Sequence, residues 1–546
     1  MPLISFTLGI KMSEINQTKS VSLMRGRVSS YVAIIVAILI MVGVFGDSCT
    51  SGLILPDKTL RLSLEASPKT LDPVHSTDTY SGVILGLTYS NLLRFDENGE
   101  LVLDAAKHYR ITEKGRRYDF LLKDNQRFVN GDVMTAEDVA FSLNRLASPR
   151  LKSPRAWLLN QVAGFEDLQS GKTQTLAGVQ VIDSSRIRIT LKRAYAPFLS
   201  LFAMPQMSIV SKSYVEAGGE LGESTMGAGP YYLKSWRREQ DILLLSNPHY
   251  RKSGNLNAVY YKIIKDPLSL ISEFKAQGLH MIEVPPTEVQ ALKSTRARLY
   301  PVNQFNLYFV GMNMKSGRFA DRNFRQAINF AVDREGIVKN LQHGLADVAT
   351  GPVPKGLKGY LERDFFNYDL AKAKLLFSKS KFDGKPLRLL LRNESRSMAV
   401  CQVIQQNLKS LGIDVKLVPR DWNSFSSALV KMDYDLFYRN WIADFPDGDN
   451  FLFPLFHSSS TGLKGNYPGY ASKNFDSLVE RSRRQTDTFQ RSELLRQAAQ
   501  LARNDASRIL LWYKTKVYAA YPVLQNFRPF PMYNSNKYLN VNLLTR

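Results

Sequence analysis

The sequence predicts a mixed α/β protein built from several domains. Three observations carry that expectation. The 546 residues are 44% hydrophobic and 22% charged, an ordinary globular composition that excludes disordered, collagen-like and coiled-coil chains. Short runs alternate strictly between apolar and polar residues, as half-buried strands do. Between them lie stretches with apolar residues three and four apart behind capping residues, the mark of amphipathic helices. At roughly 100–200 residues per domain the length allows about three domains, and we find no repeat of fixed period.

Residues 1–48 read as a secretory signal peptide, with Met24 a possible true start. Lys11, Lys19, Arg25 and Arg27 precede the unbroken apolar run Tyr31 to Phe45, which is shorter than the about 20 residues a membrane span needs. Gly46, Asp47 and Ser48 then lead into Cys49, a small residue before a lone cysteine, as at a bacterial lipoprotein cleavage site. Cys49 is therefore the expected lipidation site, and residues 49–57 a lipid-attached tether. The expected location is the periplasm or the extracytoplasmic face of the cell membrane. The formal charge of +23 belongs almost wholly to the part that follows, since the leader holds only those four basic residues against Glu14 and Asp47. An exported chain of this charge suits an anionic membrane or an acidic ligand; nucleic acid is not an expected partner.

The individual elements follow in chain order. Tyr118–Lys123 and Arg186–Lys192 alternate as strands; Asp241–Leu245, Asn306–Met314, Val415–Val418 and Asp433–Tyr438 read as more buried ones. Thr135, with Asp138 three residues on, predicts a capped helix closed by Ser148-Pro149. Asp321 opens another, whose Phe324, Ala327, Ile328, Ala331 and Val332 share one face; Gly344 ends the segment after it. Asn367–Phe377 and Ala399–Leu411 give two more. Cys401, on an apolar helical face beside Val400 and Val403, reads as a buried structural thiol.

Motifs for catalysis are missing from the sequence. It contains no Gly-x-Ser-x-Gly, His-Glu-x-x-His or Gly-x-Gly-x-x-Gly. Gly171-Lys172-Thr173 lacks the earlier glycine of a phosphate loop, Glu166 standing there instead. The six histidines are scattered, and Asp444, Asp447 and Asp449 lack calcium-loop spacing. The expectation is no enzyme, no cofactor and no metal.

A family resemblance rests on residues 118–149, YDFLLKDNQRFVNGDVMTAEDVAFSLNRLASP. This stretch resembles the signature of the family 5 extracellular solute-binding proteins, the dipeptide- and oligopeptide-binding lipoproteins of ABC importers. Lys123, Phe128, Asn130, Gly131 and Thr135–Val139 carry it. Leu71-Asp72-Pro73, Gly227-Ala228-Gly229-Pro230-Tyr231, Asn247-Pro248 with Tyr250, Phe324–Arg334 and Trp441-Ile442-Ala443-Asp444-Phe445-Pro446 are similar to further landmarks of that family. The resemblance implies a two-lobed periplasmic-binding-protein fold, class II-like and of cluster C type, with a small extra domain in the N-terminal lobe. It places lobe I at 58–88, 186–303 and 516–546, the accessory domain at 89–185 and lobe II at 304–515, with chain crossings near 303 and 515.

The resemblance also implies the function: capture of short peptides by hinge closure and delivery to a membrane permease. Asp444 would take the ligand's α-ammonium, with Trp441 as an apolar wall and Phe445 in place of the family's tyrosine. A competing reading has Asp444 merely capping the Pro-Asp-Gly turn. The implied partners are short peptides, acidic or peptidoglycan-derived ones among them, a permease of two transmembrane subunits with two ATPases, and the membrane through the lipid anchor; the receptor itself would be a monomer. The alternatives are a lipoprotein of the same fold for a non-peptide solute, or a surface lipoprotein that has lost transport.

Overall fold

The computed structural model describes residues 54–250 and 255–544. The expected signal peptide and Cys49 lie outside the described residues.

From the first strand, Thr59–Leu64 (β1), the chain enters helix Thr79–Thr88 (α1), whose N-cap Asp78 accepts from the Ser81 amide at 2.8 Å. Four strands then build an antiparallel sheet: Ala106–Thr112 (β2), Arg117–Leu122 (β3), Val179–Asp183 (β4) and Arg186–Thr190 (β5), in the order β2-β3-β5-β4. The alternation seen in the sequence decides its faces, with Tyr118, Phe120, Leu122, Ile187 and Ile189 buried. Because β5 pairs with β3 along Tyr118↔Ile189 and Phe120↔Ile187, this sheet runs to Thr190. The sheet thus continues past residue 185, the expected end of the accessory domain.

Helix Ala136–Ala147 (α2) carries the expected capping, the Asp138 carboxylate accepting from the Thr135 amide at 2.8 Å. A second sheet brings together Tyr231–Arg237 (β6), Asp241–Ser246 (β7), Ala258–Ile263 (β8) and β1, in the order β1-β8-β7-β6, with β1 and β8 parallel.

The sequence landmarks of this half bind one another. Asp72 holds Arg145 of α2 through two 2.7 Å hydrogen bonds. Gly131 turns at φ +92°, and beside it the Val129 amide donates to the Gly227 carbonyl at 3.1 Å. Asn247 Nδ2 donates to the Gly229 carbonyl at 2.9 Å. A Cβ on Gly227 would stand 2.2 Å from the Thr88 carbonyl oxygen, and backbone cannot yield there. Gly227→Ala is therefore expected to cost about 1–3 kcal/mol, read from urea unfolding of the purified variant; an unchanged midpoint would show that α1 shifts freely.

The chain then passes through Arg298–Asn303 (β9) and Asn306–Met312 (β10) to helix Arg322–Ala331 (α3). Leu387–Arg392 (β11), Ser395–Lys409 (α4), Val415–Arg420 (β12) and Leu436–Ile442 (β13) follow. Helices Asp449–Phe456 (α5), Lys473–Arg484 (α6) and Thr488–Asp505 (α7) precede the long strand Arg508–Ala520 (β14). The large sheet has the order β14-β10-β13-β11-β12; β9, Met281–Glu283 and Ala346–Val348 also pair with β14. The first part of β14 shares a core with α3 and α4, while Ala520 at its end joins the core under the second sheet. Asn303 of β9 lies opposite Thr515 of β14, so two neighbouring chain segments run from one core to the other.

Three elements depart from the sequence reading by three or four residues at an end. β13 starts at Leu436 rather than Asp433 and continues to Ile442, because the Asp435 carboxylate is occupied by the Arg388 amide and the Arg318 guanidinium (2.8 and 3.1 Å), holding its entry as a turn. α4 begins at Ser395, four residues before the expected Ala399. The helix expected from Asn367 is Leu370–Ser378, capped by Asp369, which accepts from the Lys372 amide at 2.8 Å. Cys401 is fully buried on α4, and burial pushes its thiol well above the ordinary value.

Candidate ligand-binding site

β13 runs into the loop 443–450, and the structure sorts the three aspartates found there. Asp447 accepts two 2.8 Å bonds from Arg491 of α7 and a third, also 2.8 Å, from the Asp449 amide. Asp449 faces Arg483 of α6 at 3.2 Å. The capping of the Pro-Asp-Gly turn, the competing reading for Asp444, thus falls to Asp447. Asp444 donates its own amide to Asn450 Oδ1 at 3.0 Å, but among the described residues its carboxylate accepts no hydrogen bond. Its cation is Arg155, 3.5 Å away, and the two side chains are 24% and 21% exposed. Burial raises the Asp444 carboxyl above the ordinary carboxylate value, against the opposing pull of Arg155.

Asn450, the second residue of α5, organises the neighbourhood. Its side chain takes the Asp444 amide while its backbone carbonyl accepts from Trp441 Nε1 at 2.8 Å. Trp441 is half-buried against the main apolar cluster. Phe445, expected as a ligand contact, is only 2% exposed and packs inside that cluster; it is a core residue that anchors the loop, because the chain turns inward between Asp444 and Asp447. Tyr533 completes the surroundings. Burial first, then the Asp444 charge, raises its phenol. Its ring occupies the space Gly82 leaves on α1, where an added Cβ would meet Cε2 at 2.3 Å.

The edge of β13 is the second element of the site. β10 pairs with β13 along its whole length, from Met312↔Leu436 to Asn306↔Ile442. On the other side β11 pairs only with Leu436 and Phe437, while its opposite edge pairs with β12 along its whole length. Among the described residues, 438–442 therefore have no strand beside them on that edge, and Ile442 is exposed. An open edge of this kind offers backbone donors and acceptors to an extended chain. It spans about 16 Å and ends two residues before Asp444.

Arg155, Asn450 and Tyr533 were not singled out by the sequence. Arg155 is one of 72 lysines and arginines and no local motif marks it. A polar surface hollow beside Trp236 and Arg238 includes none of these residues. Among the described residues no three His, Cys, Asp or Glu side chains converge as a metal site.

The model for "Bacterial extracellular solute-binding proteins, family 5 Middle" matches residues 100–462. The chain belongs to this family. It is 26% identical over 508 residues to the probable D,D-dipeptide-binding periplasmic protein DdpA of Escherichia coli (strain K12), covering 90% of this chain and 95% of that protein. HbpA2 from Haemophilus parasuis has a similar structure, with TM-score 0.79 and 23% identity over 89% of this chain and 100% of that one. The periplasmic binding protein DppA from Helicobacter pylori, solved in complex with peptide STSA, gives TM-score 0.75 and 24% identity, covering 89% and 98%. The fold of this family 5 protein is accordingly the two-lobed periplasmic-binding-protein fold. As a member of an extracellular solute-binding family, it is an exported protein.

Proposed function

We propose that this family 5 protein is the receptor of an ABC peptide importer, holding a short peptide along β13 and passing it to a membrane permease with two ATPases. The open edge of β13 running toward the unsatisfied Asp444 carboxylate is the observation that carries the reading. The edge supplies backbone pairing that is indifferent to side chains, and the carboxylate supplies a fixed point for an α-ammonium. At about 3.3 Å per residue the edge has room for roughly four or five ligand residues. Asp444 and Trp441 are the ligand contacts in this reading, with Phe445 behind them. The similarity to DdpA and to the peptide-bound DppA supports the same ligand class.

The two lobes of the receptor are assigned as 58–88, 191–303 and 516–546 for lobe I and 304–515 for lobe II, with 89–190 as the accessory domain. The neighbouring crossings at Asn303 and Thr515 support that division, and hinge closure across them would enclose the ligand. Lipidation at Cys49 would keep the monomeric receptor at the membrane beside its permease.

Thermal melting of purified residues 50–546 with di- to pentapeptides, free and N-acetylated, tests the reading. Free peptide at about 100 times its Kd is expected to add roughly 2.7 kcal/mol, a shift of a few degrees, and acetylated peptide nothing. Equal shifts with both pools would refute the ammonium site, and no shift with either, once co-purified ligand is removed, would refute peptide capture.

A further inference from the structure

The cation facing Asp444 is itself a recognition element. Arg155 precedes the short 3-10 turn Ala156–Leu159, whose Leu158 and Leu159 are buried in the main cluster. Its backbone is held by Ser153, whose hydroxyl accepts from the Arg155 amide at 3.1 Å while donating to the Val74 carbonyl at 2.5 Å. The guanidinium is therefore presented from a fixed base. Yet among the described residues it makes no hydrogen bond, and its ion pair with Asp444 at 3.5 Å is its one charged contact. Arg145 on Asp72 and Arg491 on Asp447, by contrast, reach their carboxylates at 2.7–2.8 Å with hydrogen bonds, while Arg483 meets Asp449 at 3.2 Å without one but also bonds the Tyr195 hydroxyl at 3.1 Å. Arg155 and Asp444 thus neutralise one another while leaving the donors of one and the acceptors of the other unused.

An ammonium placed on Asp444 takes away the counter-ion of Arg155 and sets two cations side by side. Asp78, the other acid near Tyr533, makes no ion pair with Arg155 among the described residues; its carboxylate is held by the Ser81 amide and hydroxyl at 2.8 and 2.6 Å. A ligand that brings an anion next to its ammonium resolves the conflict. Its carboxylate meets the planar guanidinium fork and its ammonium meets Asp444, so that charges alternate and the unused donors and acceptors are filled. In a peptide that arrangement occurs within one residue when the first residue is Asp or Glu.

Resting on the peptide-receptor reading, we propose that Arg155 and Asp444 together form a subsite selecting peptides with an acidic first residue, the α-ammonium on Asp444 and the side-chain carboxylate on Arg155. Titration calorimetry with Asp-Ala-Ala, Ala-Ala-Ala and Ala-Ala-Asp tests it on wild type, Arg155→Gln and Arg155→Lys. Wild type is expected to bind Asp-Ala-Ala at least about tenfold more tightly than either of the others, the loss that follows from removing one charge-assisted, two-point contact. Arg155→Gln should bring the three within about threefold, chiefly by weakening Asp-Ala-Ala; Arg155→Lys, keeping the charge without the fork, should fall between. Ala-Ala-Asp carries the same charges as Asp-Ala-Ala, so equal binding of those two by wild type would assign the preference to the general basic field and overturn the proposal. An unchanged ratio in Arg155→Gln would overturn it as well. In both cases continued binding of Ala-Ala-Ala would leave the receptor reading standing, whereas failure of wild type to bind any of the three would bring down both.

Discussion

Replacing Asp444 by asparagine is expected to weaken binding of peptides with a free N-terminus by about a hundredfold or more while leaving the fold intact. Removing one partner of a buried, hydrogen-bonded charge pair costs about 2–5 kcal/mol, and each 1.4 kcal/mol is tenfold. The ligand-free variant should be as stable as wild type or more so. Burial raises the Asp444 carboxyl above its ordinary value, with Arg155 only partly opposing, so the folded chain holds that proton more tightly than the unfolded chain does. For such a group protonation favours the fold: its unfavourable contribution is present at neutral pH and is relieved as the pH falls through the raised value. Peptide affinity runs the other way and is lost over the same window, because the neutral acid no longer attracts an ammonium. Calorimetry of one free peptide from pH 7 to pH 4, on wild type and Asp444→Asn, reads both effects. A variant that binds as wild type does would remove Asp444 from the site.

The second large effect is on stability. Arg491→Ala is expected to cost about 3–5 kcal/mol, because it strands the buried Asp447 carboxylate without its two hydrogen bonds. The pair is 7% and 11% exposed. Burial alone would raise the Asp447 carboxyl, but the charge and hydrogen bonds of Arg491 bring it below the ordinary value of 3.8. Its contribution is thus fully present above that value and is lost as the pH falls below it. Urea unfolding at pH 7 reads the loss; a change under about 1 kcal/mol would mean that water reaches the pair. The double variant Asp447→Leu with Arg491→Met should recover most of the stability, since an apolar pair leaves no charge unpaired. Peptide affinity should still fall in the single variant, because Asp447 fixes the loop that carries Asp444.

Elements whose determinants are local were legible in the sequence. The Thr135–Asp138 capping, the alternation of Arg186–Thr190 and the apolar face from Phe324 to Ala331 each need only neighbours within a turn or a strand, and each stands where expected. The misplaced boundaries depend on distant partners. Asp435 delays β13 because Arg318 and the Arg388 amide reach it from other elements. Arg186–Thr190 belongs with the preceding sheet because β3 pairs with it. Phe445 is adjacent to Asp444 in sequence, yet the Asp444 carboxylate stays partly exposed while the next ring is core, as the loop turns inward there.

By itself the sequence determined the α/β class and the family through its ordered landmarks. Periodicity, capping and turn residues act over a few positions and are written directly in the chain. Only the tertiary structure decided which of Asp444, Asp447 and Asp449 keeps the most exposed carboxylate, because their arginines come from α6, α7 and the segment before Ala156. It also decided that β13 keeps an open edge, since that depends on β11 pairing with only two of its residues. Both outcomes are matters of which charges and strands meet across long chain separations, and no local pattern encodes them.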